Sequence, residues 1–220
     1  MRIFFIILLL PMYVSSQTTL YLNINNIYQS TVSFNAGWNV TSGAVRYYME
    51  GHKDNSTIGS HTSGQVGAAA VRKVLIDQWV SAPLATQTVT GTLDGQIRFN
   101  CNSVTSTTWQ GFVYLRVINS DNTVATEVGT LTTTNLTTTL TNRTLIQLNV
   151  GTLSITAGQR FCIDVGANES VGSTTTRTAT CSRGSSSATD LAVDNTTTTA
   201  NNPFIKFSQT LVFLPNGKFF

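Results

Sequence analysis

The feature that most constrains this chain is an alternation of apolar and polar residues at period two. In Arg160-Phe161-Cys162-Ile163-Asp164-Val165-Gly166 the apolar Phe161, Ile163 and Val165 are separated by Cys162 and Asp164, just after the turn punctuation Ala157-Gly158. Successive side chains of a strand point to opposite faces, so this pattern writes a half-buried β-strand. The same grammar returns at Val113, Leu115 and Val117 against Phe112, Tyr114, Arg116 and Ile118, and again at Ile205, Phe207, Leu211 and Phe213. Thr18–Leu22, Ala44–Met49, Val71–Val80 with Trp79 as its anchor, Val124–Leu131 and Leu145–Val150 read as further strands, and Ser120-Asp121-Asn122 as a turn. Asp94-Gly95, between Gln87–Leu93 and Gln96–Asn102, reads as a hairpin turn. No window combines a helical period with a cap. Eight or more short strands predict an all-β fold, an antiparallel β-sandwich or jelly roll. A length of 220 residues suits one such domain, residues 17–220. Residues 51–70 are polar and Gly-rich and predict a long mobile loop.

Charge excludes some partners. Only 10% of residues are charged and the formal net charge is +3, with no basic run, so neither a nucleic-acid footprint nor a membrane-binding patch is present. The polar surface is instead built from Thr, Ser and Asn, and β-branched Thr suits strands. At the N-terminus, Arg2, the apolar run Ile3–Leu10 and Val14-Ser15-Ser16 read as a secretory signal cleaved after Ser16. The alternative for residues 1–16 is a hydrophobic arm that packs on a neighbouring subunit. After processing, no membrane contact is expected, because no second apolar segment reaches spanning length.

The three cysteines are Cys101, Cys162 and Cys181. If Gly166–Thr175 is the loop of a hairpin, Cys162 and Cys181 stand opposite one another on adjacent strands, close enough for a disulfide in an oxidising compartment. Cys101 alternates with Ile97 and Phe99 and reads as a buried thiol. In a reducing compartment all three simply pack.

Candidate chemistry is sparse. His52 and His61 both fall in the Gly-rich stretch and read as exposed loop residues rather than a ligand or acid–base pair. No Gly-x-Ser-x-Gly elbow occurs, and the ten acidic residues lie mostly in turns, without a defined carboxylate pair. Asp164 is mid-strand with Arg160 four residues earlier on the same face, which reads as an exposed ion pair. Asp190, Asp194 and Asn195 could offer oxygens to Ca²⁺, but their spacing matches no defined calcium loop. Asn-x-Ser/Thr triplets at Asn39, Asn55, Asn135, Asn142, Asn168 and Asn195 are little more than this composition supplies by chance. Tyr21, Tyr28, Trp38, Tyr47 and Tyr48 cluster early and read as cover for a core, with Tyr47 and Tyr48 as the alternative platform for stacking a sugar. No catalytic residue, cofactor or metal site is predicted.

Trp79-Val80-Ser81-Ala82-Pro83-Leu84, Thr88-Val89-Thr90-Gly91-Thr92, Leu115-Arg116-Val117, Ala157-Gly158-Gln159-Arg160, Asp190-Leu191 and Asn202-Pro203-Phe204-Ile205-Lys206-Phe207-Ser208 together resemble a group of β-sandwich proteins. These are encoded among the structural genes of tailed bacteriophages and in phage-rich environmental DNA. Thr18-Thr19-Leu20-Tyr21-Leu22 is similar to their opening, whereas the signal-like N-terminus departs from their pattern. The resemblance implies a virion component, such as a capsid decoration, fibre or tail-associated protein, with no enzymatic residue to carry over. The expected partners are other copies of the chain, in a symmetric homo-oligomer, and other virion proteins. The competing expectation is a secreted adhesin or carbohydrate-binding module contacting a host surface glycan. A secreted glycosidase-like enzyme is a third, disfavoured by the missing acid pair.

Overall fold

Thirteen strands make up the regular structure of the residues that the computed structural model describes, namely 17–41, 43–53, 59–62, 66–68, 72–103, 109–169, 173–184 and 203–215. They form two main sheets. The first runs β1 (Thr18–Tyr21), β13 (Phe204–Phe207), β6 (Gln87–Cys101), β12 (Ala179–Arg183), β3 (Gly59–Thr62), with β9 (Thr141–Ile155) also on β6. The long β6 pairs with β9 from Gln87 to Phe99, and with β13 at Leu93–Gln96 and β12 at Arg98–Cys101. The second sheet runs β2 (Val45–Tyr48), β5 (Lys73–Val80), β10 (Arg160–Glu169), β7 (Trp109–Ile118), β8 (Val124–Asn135). A short pair, β4 (Val66–Ala68) with β11 (Ser173–Arg177), lies apart from both. Among the described strands pairing is antiparallel except between β2 and β5, and Val40 adds a single parallel bridge to Val74 of β5.

The alternation sorts side chains as written. Phe161, Ile163 and Val165 of β10 and Val113, Leu115 and Val117 of β7 share one core with Val89, Leu93, Ile97 and Phe99 of β6 and Ile205 and Phe207 of β13. Phe161 meets Phe207 across the two sheets with ring centroids 4.6 Å apart. Trp79 and Trp109 are fully enclosed. Each large side chain removed from water contributes about 1.5–3 kcal/mol before conformational entropy is charged against it.

Two β-bulges reshape β9. Its inward residues are Leu145, Leu148, Val150, Leu153 and Ile155, so the apolar spacing stretches from two to three at two places. The register slips at the same places, opposite Leu93/Gly95 and Gly91/Thr92 of β6. At the first slip Ile146 and Gln147 both oppose Asp94, and both side chains turn outward. A two-against-one count is how a bulge re-aims side chains.

Three expectations are corrected. Asp94-Gly95 is not a turn: β6 runs straight through it, and Leu93 and Ile97 keep the same parity on the core side. Gly95 is required there because a Cβ would collide with the carbonyl oxygen of Phe204 on β13. Residues 51–70 are not one long loop, since they contain β3, paired with β12, and β4, paired with β11. The segment 160–182 is not one hairpin either. Cys162 on β10 faces Val80 and Arg116 in the second sheet, while Cys181 on β12 faces Phe99 and His61 in the first. The Cys162–Cys181 disulfide is therefore replaced by free, buried thiols at Cys101, Cys162 and Cys181.

Candidate functional site

The outer face of the second sheet is too apolar to face water, and the chain between Asn23 and Ala44 covers it as a strap. At one end Tyr28 and Val32 pack on Val80, Ile118 and Cys162. At the other end Trp38 packs on Leu75 and Phe112, with Phe34 and Tyr114 at the margin. Gly166 makes room for this contact, because a Cβ there would strike the Trp38 ring and the Val74 carbonyl.

Between these two apolar ends lies a buried polar cluster. The Asp164 carboxylate, wholly buried, accepts hydrogen bonds from Arg116 and Gln78 Nε2, each at 2.8 Å, through Oδ1. Its Oδ2 accepts from the Asn35 backbone N–H at 2.7 Å and from Trp38 Nε1 at 3.1 Å. Arg116, itself 1% exposed, also donates to the Ser33 carbonyl at 2.9 Å. Strap and sheet are thus pinned through one ion pair with three further donors. An unpaired carboxylate in this position would be prohibitively costly, and the full set of donors is what permits it.

The arrangement is a clamp rather than a reaction centre. A catalytic carboxylate must meet substrate, and both Asp164 oxygens are already occupied by protein donors. Cys162 lies 3.6 Å from the Arg116 guanidinium. Burial foremost, then the Asp164 charge, pushes its thiol far above the ordinary 9.0, so it is protonated and inert as a nucleophile. The exposed Arg160–Asp164 pair is corrected accordingly: Asp164 turns under the strap to Arg116, and Arg160 donates to the Ser81 carbonyl at 2.9 Å. One clue lay in the sequence. Arg116 alternates with Phe112, Tyr114 and Ile118, a face that water would not leave uncovered.

A second ion pair ties the two sheets together. Asp77 on β5 is buried and pairs with Arg183 on β12, while Asp77 Oδ1 accepts the Val45 N–H at 2.8 Å. Asp77 shares the inward parity of Trp79 and stands opposite inward-facing Val165, so it points toward the first sheet. Arg183 also donates to the Tyr47 hydroxyl at 2.9 Å. Tyr47 is only 6% exposed and stacks on Trp79, which removes it as a surface platform. Tyr48 is partly exposed and borders a depression of about 430 Å³ with Asn25, Asn26, Ile27 and Gln29. Two further depressions open on the surface. One, of about 510 Å³, lies around Asp94, Gln96, Thr144 and Lys206, and another, of about 380 Å³, lies beside Tyr114 and Glu127.

The remaining candidates scatter. His52 is exposed, and His61 lies on β3 opposite Cys181. Asp190, Asp194, Asn195 and Asn55 lie outside the described residues. Among the described residues no cluster of three His, Cys, Asp or Glu side chains could hold a metal, and no helix is long and apolar enough to cross a membrane. Asn142 is wholly buried on β9, so folded protein cannot present it for glycosylation.

No family model matches this chain, and no curated protein does. Among solved structures, two of a CocE/NonD family hydrolase from Staphylococcus aureus align with TM-scores of 0.31 at 10% and 9% identity. The alignments cover 90% of this chain, which spans only 35% and 36% of those chains. At that level the likeness carries no argument about activity.

Proposed function

We propose that this chain is a non-enzymatic structural component of a virus particle, of the decoration, fibre or tail-associated kind found in tailed bacteriophages, and that it works through contacts between copies. The observation that carries this reading is the surface of β8 and β9. Among the described residues β8 pairs only with β7 and β9 only with β6, so both are edge strands, 12 and 15 residues long. Glu127 is the one charged side chain exposed along them, since Arg143 is buried, and Val124 and Ile146 are 42% and 58% exposed. Proteins that stay monomeric usually blunt long edges with Lys, Pro or short strands. A face of hydroxyls and amides with few charges loses little solvation when a second copy covers it.

The test is the solution mass of the full chain by sedimentation, with Val124→Lys/Thr130→Lys as the edge-blocking variant. A defined oligomer that becomes monomeric in the variant supports the reading. A monomeric wild type at tens of micromolar, or an oligomer untouched by the lysines, overturns it. The second reading, a secreted glycan-binding module, is favoured by the amide-lined depression beside Tyr48, and loss of glycan binding in Tyr48→Ala would support it.

A further inference from the structure

The depression of about 510 Å³ on the outer face of the first sheet sits where the β9 bulge turns Ile146 and Gln147 outward opposite Asp94. Gln96 and Lys206 complete its polar lining with Asp94 and Thr144, and Phe204 and Ile146 supply apolar walls. Two properties of this lining are specific. Asp94 and Lys206 face each other at 3.5 Å, each about one third exposed, so the groove is close to neutral. Part of the hydrogen-bonding capacity in and next to it is also unspent. Gln96 Oε1 finds no partner, nor do Arg98 Nε and Asn100 Oδ1, which follow it at period two on the same face of β6. Next to them, on β9 opposite Arg98, Asn142 is wholly buried with neither end of its amide bonded. Buried polar atoms are almost always satisfied, and of these four residues Gln96 is the one that lines the depression, so its unspent carbonyl is the one a ligand there could reach after a side-chain turn.

We infer that this groove binds a neutral saccharide. Its amides, carboxylate, ammonium and hydroxyl can each take part in hydrogen bonds with sugar hydroxyls, which both donate and accept. Rotation about the last side-chain bond of Gln96 exchanges its carbonyl and amino ends, so either can be turned to the ligand. Ile146, 58% exposed, offers the apolar contact that the C–H face of a pyranose needs, with the edge of Phe204 behind it. Few convergent polar groups over an apolar floor is the usual make-up of a small-ligand site. A charged glycan fits less well, because each sign of charge in the groove already has its counterion. This inference rests on neither the subunit-contact reading nor the Tyr48 depression, and it stands or falls separately.

The experiment is titration of the full chain, followed by NMR, with lactose, maltotriose, chitotriose, mannotriose and, as the charged arm, sialyllactose. Binding of at least one neutral probe in the millimolar range or tighter is expected, with shifts at the Gln96 and Gln147 side-chain amides. Affinity should fall at least tenfold in Gln96→Ala and in Gln147→Ala, with unfolding midpoints unchanged, and should be insensitive to salt. The inference is overturned if no neutral probe binds at 10 mM, if only sialyllactose binds, or if binding survives both substitutions. Binding abolished by Tyr48→Ala but not by Gln96→Ala would also overturn it, while leaving the question of oligomeric contacts untouched.

Discussion

Asp164 joins more separate parts of the chain than any other side chain described above: β5 through Gln78, β7 through Arg116, and the strap through Asn35 and Trp38. Asp164→Ala should therefore cost about 3–5 kcal/mol, because it strands the Arg116 charge without solvent. The urea midpoint measures this. A second variant separates charge from packing: Asp164→Leu with Arg116→Met should recover most of the loss, since well-packed apolar residues can replace a buried pair. A loss under about 1 kcal/mol in the single variant would show that the clamp is not needed. The thiols set a pH dependence. Burial raises both Cys162 and Cys181 above the ordinary 9.0, so the folded state keeps protons that the unfolded state releases. This contribution is complete below pH 9 and is lost as pH rises further, at about 1.4 kcal/mol per thiol per unit. Urea midpoints should decline above pH 9, and less steeply in Cys162→Ala/Cys181→Ala. These residues were only half legible in the sequence. The alternation placed Asp164 off the core face, but nothing local says that a second layer of chain lies over that face.

The strap is the element on which local pattern is weakest. Asn23–Ala44 has short apolar pairs and no sustained period, because among its described residues it pairs with the sheet only through single bridges, Ile27 to Tyr47 and Val40 to Val74, and otherwise lies over it as cover. Trp38 holds one end by its ring and by the bond to Asp164. Trp38→Ala should accelerate amide hydrogen exchange at Asn35 and Tyr28, whose N–H groups are held by Asp164 and Arg46, while Ile163 in β10 keeps its protection. Equal acceleration at Ile163 would mean that strap and sheets open together. The strands themselves show what pattern can and cannot tell. β7 and β10 follow their alternation closely, whereas Asp94-Gly95 carries strong turn chemistry yet sits inside β6. Partners overrode propensity there: β9 on one side and β13 on the other hold β6 extended, and Phe204 passes so close that only Gly fits. The bulges in β9 could have been read from the spacing of Leu145, Leu148, Val150, Leu153 and Ile155, which a strict period of two misses.

At the scale of the whole molecule, two sheets enclose one core, and the Asp77–Arg183 pair crosses between them. The edges at β8 and β9 and the groove beside Gln96 are properties of this assembly. The groove joins residues 94–96, 144–147 and 204–206, which are distant in sequence, so it can be argued only from the folded chain. The sequence by itself determined the all-β class, most strand positions and, in unbulged strands such as β7 and β10, which residues share a face, because side-chain direction in a strand repeats every two residues. The tertiary structure alone decided which strands are neighbours, and with that the fate of Cys162, Cys181, Asp164 and Tyr47. The physical reason is that pairing between β-strands is non-local. A strand's own residues fix which way its side chains point, but the strand or strap that meets them comes from elsewhere in the chain.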